Sequence, residues 1–226
     1  HETWQPWIKK ANENFDTHCI DLPCFGGVPC PPEVLGVDEY ARYVERSIRE
    51  LRLTEKPILL GHSFGGQVAV RLAASHPEYF RGLILSAAAV LRPSRPIRNA
   101  VFFAIAKSGK LLFRLPIIER GSVLAKKLLY CAARSPDYAK TSEIQREIFR
   151  KIIRQDLRHL LPDIVLPTLI VWGTRDTYLP VQDGKAIAEL MPNACLRLIR
   201  GAGHGLHLRN TDEFLRELRS FAAAIP

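Results

Sequence analysis

The sequence predicts an α/β fold: a mostly parallel sheet flanked by helices, with a helical insertion around its middle. Three observations carry that prediction. Short apolar runs alternate with stretches whose apolar residues recur at helical spacing. One stretch, residues 92–161, breaks the alternation with helical pieces and no strong strand pattern. The length of 226 residues, 47% of them apolar and 24% charged, suits one large globular domain. Residues 1–91 and 162–226 are therefore read as the core, and 92–161 as an inserted helical cap.

The elements follow in order. His18-Cys19-Ile20 reads as a short strand ended by Asp21-Leu22-Pro23. The stretch from Cys24 to Pro32 carries two glycines and three prolines and is a loop. Tyr40, Ala41, Val44, Ile48 and Leu51 place one buried face on a helix over 38–53. Residues 57–61 and 82–86 are apolar runs of the kind that parallel sheets bury on both faces. Between them, 64–75 is helical and His76-Pro77 ends it. The insertion is punctuated by Pro96, Gly109, Pro116, Gly121 and Pro136. Alternation then resumes with a strand over 168–172, a helix over 181–190 and a strand over 195–199. A last helix starts near Thr211, with Asp212 and Glu213 in its first turn, where negative charge is favoured. Phe214, Leu215, Leu218, Phe221 and Ala222 form its apolar stripe.

Composition excludes a disordered chain, a collagen-like repeat and a small disulfide scaffold. No apolar stretch approaches the roughly 18 residues that span a bilayer. Five cysteines, spread thinly, fit reduced thiols and a cytoplasmic protein. Cys19, Cys24 and Cys30 do not have zinc-site spacing, and no metal or organic cofactor is expected. The net charge of +9 is concentrated: residues 92–160 hold sixteen Lys or Arg against five Asp or Glu. That surface is either a solvated helical face or one that attracts an anionic ligand or lipid headgroups. Nucleic-acid binding has no motif behind it.

The sharpest local signal is Gly61-His62-Ser63-Phe64-Gly65, which fits G-x-S-x-G between a strand and a helix. Such a turn projects the serine hydroxyl above the sheet edge. Gly61 and Gly65 stay small so that neighbouring chain can approach. The following helix offers free N–H groups and the positive end of its dipole, so the Phe64 N–H is placed for a developing oxyanion. A serine nucleophile needs a base, and the base needs an acid to fix its tautomer. Asp176 follows the strand over 168–172 through Gly173-Thr174-Arg175. His204 follows the strand over 195–199 in Gly201-Ala202-Gly203-His204-Gly205. Both sit just past the carboxyl ends of parallel strands, where open α/β sheets bind ligands.

On these residues the chain resembles the α/β-hydrolase fold superfamily over nearly its whole length. Gly-His-Ser-Phe-Gly-Gly, Trp-Gly-x-x-Asp and Gly-x-Gly-His stand in the superfamily's order, and the insertion falls where its members carry a cap. The resemblance implies Ser63 as nucleophile, His204 as general base then acid, and Asp176 as the residue that orients it. It implies a serine hydrolase acting on a carboxylic ester or related acyl substrate through an acyl-enzyme, without metal or cofactor. Carbon–carbon bond hydrolysis, thioester hydrolysis, perhydrolysis and ligand binding without turnover are alternatives on the same fold. The superfamily's second oxyanion donor comes from a loop that precedes a segment resembling Glu2-Thr3-Trp4. By that comparison roughly 30 residues and three strands lie before His1, and the chain is expected to be a fragment of a longer hydrolase, inert if their loss costs the fold. A strand position would then stand empty between Cys19 and Ile58.

Several other residues are assigned plainer roles. His62 is read as structural, with its side chain turned away from the serine. His18, His76 and His159 are ordinary. His207 is a helix-start or pocket-wall residue. Asp183, a rival to Asp176, falls inside a helical pattern, and Asp21 is a turn residue. Apolar stretches at 101–105 and 111–113 are expected to form an acyl or aromatic pocket, with a membrane-surface helix as the alternative. Arg92, Arg95 and Arg98 are expected to favour anionic esters.

Overall fold

The computed structural model of the chain describes residues 2–92 and 143–226. The chain divides into two compact units, residues 1–92 with 147–226, and residues 93–146. Most of the second unit lies outside the described residues, including the apolar stretches at 101–105 and 111–113 and the cations Arg95 and Arg98.

The first unit opens with a 3-10 turn, Glu2–Trp4, and α1, Gln5–Ala11, which carries Pro6 in its first turn and buries Trp7 and Ala11. Helix α2, Val37–Glu50, begins where the Gly36 N–H donates to Glu39 Oε2 at 2.6 Å. Its Tyr40, Ala41 and Val44 face inward, as the helical spacing predicts. Next come β1 (Ile58–His62), α3 (Phe64–Ser75) and β2 (Gly82–Ser86). Helix α4, Glu143–Ile152, leads back into the core. It is followed by β3 (Thr168–Gly173), α5 (Val181–Leu190) and β4 (Ala194–Ile199). A one-turn α6 (Leu206–Arg209) and α7 (Thr211–Ala224) end the chain's regular structure.

The four strands lie in the order β1-β2-β3-β4 and every pair is parallel. Leu60 pairs with Ile84, Ile84 with Leu169, and Leu169 with Cys195. Strands β2 and β3 are buried throughout, which is why they read as unbroken apolar runs rather than alternating ones. On one face Ile84, Leu169, Val171 and Ile199 pack against Trp7, Leu206, Phe214, Leu215 and Leu218. On the other, α3 packs on β1 and β2, and α5 on β3 and β4. Trp172 lies so close beneath α5 that a Cβ on Gly184 would come within 2.7 Å of it.

Two expectations are corrected. His18-Cys19-Ile20 forms no strand: Cys19 is exposed, and among the described residues the segment pairs neither with β1 nor with any other strand. Three residues, two of them exposed, bury too little side chain to hold a strand in place. Cys24 and Cys30 are not free thiols. They form a disulfide across six residues, their Cα atoms 4.3 Å apart. The loop's own turn brings them together: Cys24 N–H donates to Val28 O, and Phe25 N–H to Leu22 O. Cys19 and Cys195 are free and exposed, while Cys131 lies outside the described residues. A cytoplasmic placement read from reduced thiols thus loses part of its basis. No helix among the described residues is long and apolar enough to cross a membrane.

Candidate functional site

Ser63 occupies the turn between β1 and α3 with φ +52° and ψ −117°. A non-glycine residue takes such a backbone only where its surroundings enforce it. They do so here: the Ser63 N–H donates to Ser86 O (3.1 Å), and Ser63 O accepts from Gly66 (3.0 Å) and Ala89 (2.9 Å). A Cβ on Gly61 would meet Gly65 O at 2.5 Å, and one on Gly66 would meet Ala88 Cβ at 2.3 Å. Gly65 differs from its sequence reading, since among the described residues nothing lies within 4 Å of a Cβ built on it. The glycine that close packing demands after the serine is therefore Gly66. Phe64 opens α3, so its N–H has no carbonyl one turn behind it in the helix.

The acid and base segments are laced together at the ends of β3 and β4. Arg175 N–H donates to Ala202 O (2.8 Å), and Gly201 N–H to Thr174 Oγ1 (2.8 Å). A Cβ on Gly173 would sit 2.4 Å from Ala202 O. This brings His204 Nδ1 to 2.7 Å from Asp176 Oδ2. The Asp176 side chain is fully buried, while that of His204 is 19% exposed. The other carboxylate oxygen accepts from the N–H groups of Tyr178 (2.8 Å) and Leu179 (2.9 Å). Burial pushes the Asp176 carboxyl up. The His204 hydrogen bond and the two backbone donors outweigh it and hold the group below the usual carboxylate range. Because a carboxylate only accepts, His204 carries its proton on Nδ1 and leaves Nε2 bare. Ser63 and His204 share no hydrogen bond among the described residues. Such bonds often tighten only when substrate binds.

Aromatic rings crowd this pair. His62 does not turn away from the site. Its Nδ1 donates to Ser86 O at 2.9 Å, and its ring centroid lies 4.8 Å from that of His204. Burial, then the nearby His204 and His207, lower the His62 pKa to about 3, against the Ser86 bond. His207, on α6, is buried and stacks on Trp4 at 3.9 Å, and burial followed by His204 lowers it to about 4. Both imidazoles are thus neutral near neutral pH. Tyr178, 65% exposed, holds its ring 5.2 Å from His204. Phe25 stacks on Phe64 at 5.8 Å, and Tyr40 meets Phe64 edge-on at 5.0 Å. Sequence reasoning passed over Tyr178, Trp4 and Phe25. The one local signal was an aromatic residue two positions after the candidate acid.

Asp183 lies in the first turn of α5, and Asp176 is the carboxylate that reaches His204. Arg92 is committed to the framework and is not a free cation. Its side chain donates to Leu91 O (3.3 Å) and Ile152 O (3.1 Å), and its backbone N–H donates to Asp156 Oδ2 (3.0 Å). Gln67, one helical step past the glycines, is fully buried and donates to Gln155 O at 3.1 Å. A hollow of about 770 Å³ lies elsewhere, between the 23–35 loop and α2, and none of Ser63, Asp176 and His204 borders it.

Parallel strands that deliver a serine elbow first, an acid third and a histidine last are the architecture of an α/β-hydrolase. The chain belongs to the Alpha/beta hydrolase family, whose model matches residues 1–217. Among curated relatives, human monoacylglycerol lipase ABHD6 is 23% identical over 243 aligned positions, covering 99% of this chain and 72% of that protein. The pimeloyl-[acyl-carrier protein] methyl ester esterase of Xanthomonas axonopodis pv. citri (strain 306) is 28% identical over 235, covering 98% and 90%. Of solved structures, an esterase (EaEST) from Exiguobacterium antarcticum matches with a TM-score of 0.73 at 22% identity, covering 99% of this chain and 87% of that one. A membrane phospholipase A matches at 0.71 and 23%, covering 98% and 74%. These two likenesses show the fold.

Proposed function

We propose that this chain is a serine esterase that hydrolyses a carboxylic ester through an acyl-enzyme. The observation that carries the reading is the 2.7 Å bond from His204 Nδ1 to a buried, ionised Asp176, with Ser63 on a strained turn at a helix N-terminus. In the first step His204 Nε2 takes the Ser63 Oγ proton as Oγ bonds to the ester carbonyl carbon. The Phe64 N–H donates to the resulting oxyanion. Imidazolium then gives its proton to the departing alkoxide as the C–O bond breaks. Water, deprotonated by His204, attacks the acyl-enzyme, and the acid leaves with Ser63 restored. Phe25 and Phe64, stacked beside the serine turn, favour an apolar acyl or alcohol group. The named lipase and esterase relatives support the ester class.

A fluorophosphonate probe tests the assignment by intact mass. Labelling is expected on the wild-type chain and absent in Ser63→Ala, with His204→Ala slowed by about a thousandfold or more. Ser63-independent labelling, or none, would contradict the reading. A parallel screen of esters, thioesters and diketones separates ester hydrolysis from thioester and carbon–carbon bond cleavage.

A further inference from the structure

Tyr178 is a large, mostly exposed aromatic residue, and no burial of apolar surface accounts for its position. Its backbone is fixed from two sides. Its N–H donates to Asp176 Oδ1, and the next residue's carbonyl, Leu179 O, accepts from Trp172 Nε1 at 3.1 Å. The carboxylate that orients His204 therefore also anchors the residue whose ring lies against His204, at 5.2 Å and tilted by 35°. A buried carboxylate bonded to a 19% exposed imidazole needs cover, because water that reaches Nδ1–H competes for that proton. On the inner side His62 and His207 already crowd the cluster, their rings 4.9 Å apart. Tyr178 stands on the exposed side.

We propose that Tyr178 is a positioning residue for His204: its ring packs on the imidazole, shields the Asp176–His204 hydrogen bond from water and holds Nε2 toward Ser63. The proposal rests on the assignment of Ser63, Asp176 and His204 made above. It assigns the work to the ring face and not to the phenol hydroxyl, so phenylalanine should replace it fully.

The test compares Tyr178→Ala and Tyr178→Phe with the wild-type chain by two readouts. The first is the low-field NMR signal of the His204 Nδ1 proton, assigned by its loss in His204→Gln, which requires no turnover. It is expected to broaden by exchange with water in Tyr178→Ala and to persist in Tyr178→Phe. The second is steady-state hydrolysis of a small neutral ester. Tyr178→Ala is expected to lower kcat roughly three- to tenfold with KM within twofold, and Tyr178→Phe to restore it. An Nδ1 signal unchanged in Tyr178→Ala overturns the proposal, whatever the activity. So does a raised KM with kcat intact, which would make Tyr178 a substrate contact. Failure of the ester assignment shows separately, as wild-type chain that gives the Nδ1 signal but no Ser63-dependent labelling.

Discussion

His62 and His207 place two titratable rings where charge is unwelcome, and this fixes a sign for the pH dependence of stability. An unfolded histidine titrates near 6.5, whereas burial and the neighbouring His204 lower these two to about 3 and about 4. Between those limits the unfolded chain binds more protons than the folded one. Their stabilising contribution is complete above about pH 6.5 and is lost as pH falls toward 4 and then 3. Asp176, with its depressed carboxyl, adds an acid-side loss only below the usual carboxylate range. Thermal melts should therefore show Tm falling already between pH 6.5 and 4.5. His207→Phe, which keeps a ring against Trp4, should flatten that slope, and an equally steep slope in the variant would contradict the account. Ser63, Asp176 and His204 were legible in sequence because short spacings around a turn encode them. Trp4 on His207 was not legible, because that stacking joins the first turn of the chain to a helix near its end.

Among the elements, the nucleophile turn depends on one contact that the five-residue motif does not contain. Gly66 lies against Ala88 just past β2, and Gly65 has no neighbour within 4 Å of its Cβ position among the described residues. Gly66→Ala should overpack this junction by about 1–3 kcal/mol, lowering Tm by about 2–10 °C. Gly65→Ala should leave Tm nearly unchanged or slightly raised, since alanine suits a helix better than glycine. Equal losses in both would refute the distinction. The strands over 82–86 and 168–173 were legible because burial on both faces leaves unbroken apolar runs. His18-Cys19-Ile20 misled because three residues state a propensity but not a partner. Arg92 misled in another way, since its charge suggested a ligand while its donors close the framework at Ile152 and Leu91. Arg92→Met should lower Tm, because a buried carbonyl left without its donor costs about 1–3 kcal/mol. The ratio of KM values for anionic and neutral esters should stay as it was. A change in that ratio would restore Arg92 as a substrate contact.

At the scale of the whole molecule, composition indicated the class of fold but not the state of its cysteines. Thin spacing argued for free thiols, yet a loop rich in glycine and proline folds Cys24 onto Cys30. Iodoacetamide applied without reductant should modify Cys19 and Cys195 and spare Cys24 and Cys30, with all five cysteines modified after reduction under denaturing conditions. Alkylation of Cys24 or Cys30 in the unreduced, folded chain would contradict the pairing. The order in which the sheet receives its strands has a further consequence. Ser63 is synthesised before the other candidate residues, but the turn that strains it is braced by Ser86 and Ala89, its candidate acid waits for β3, and its candidate base waits for β4. If Asp176 and His204 activate Ser63 as proposed, a ribosome-bound chain that has not yet released residues 168–204 carries a serine no more reactive than any other. On the proposed assignment, hydrolytic competence is thus withheld from any nascent chain stalled before His204.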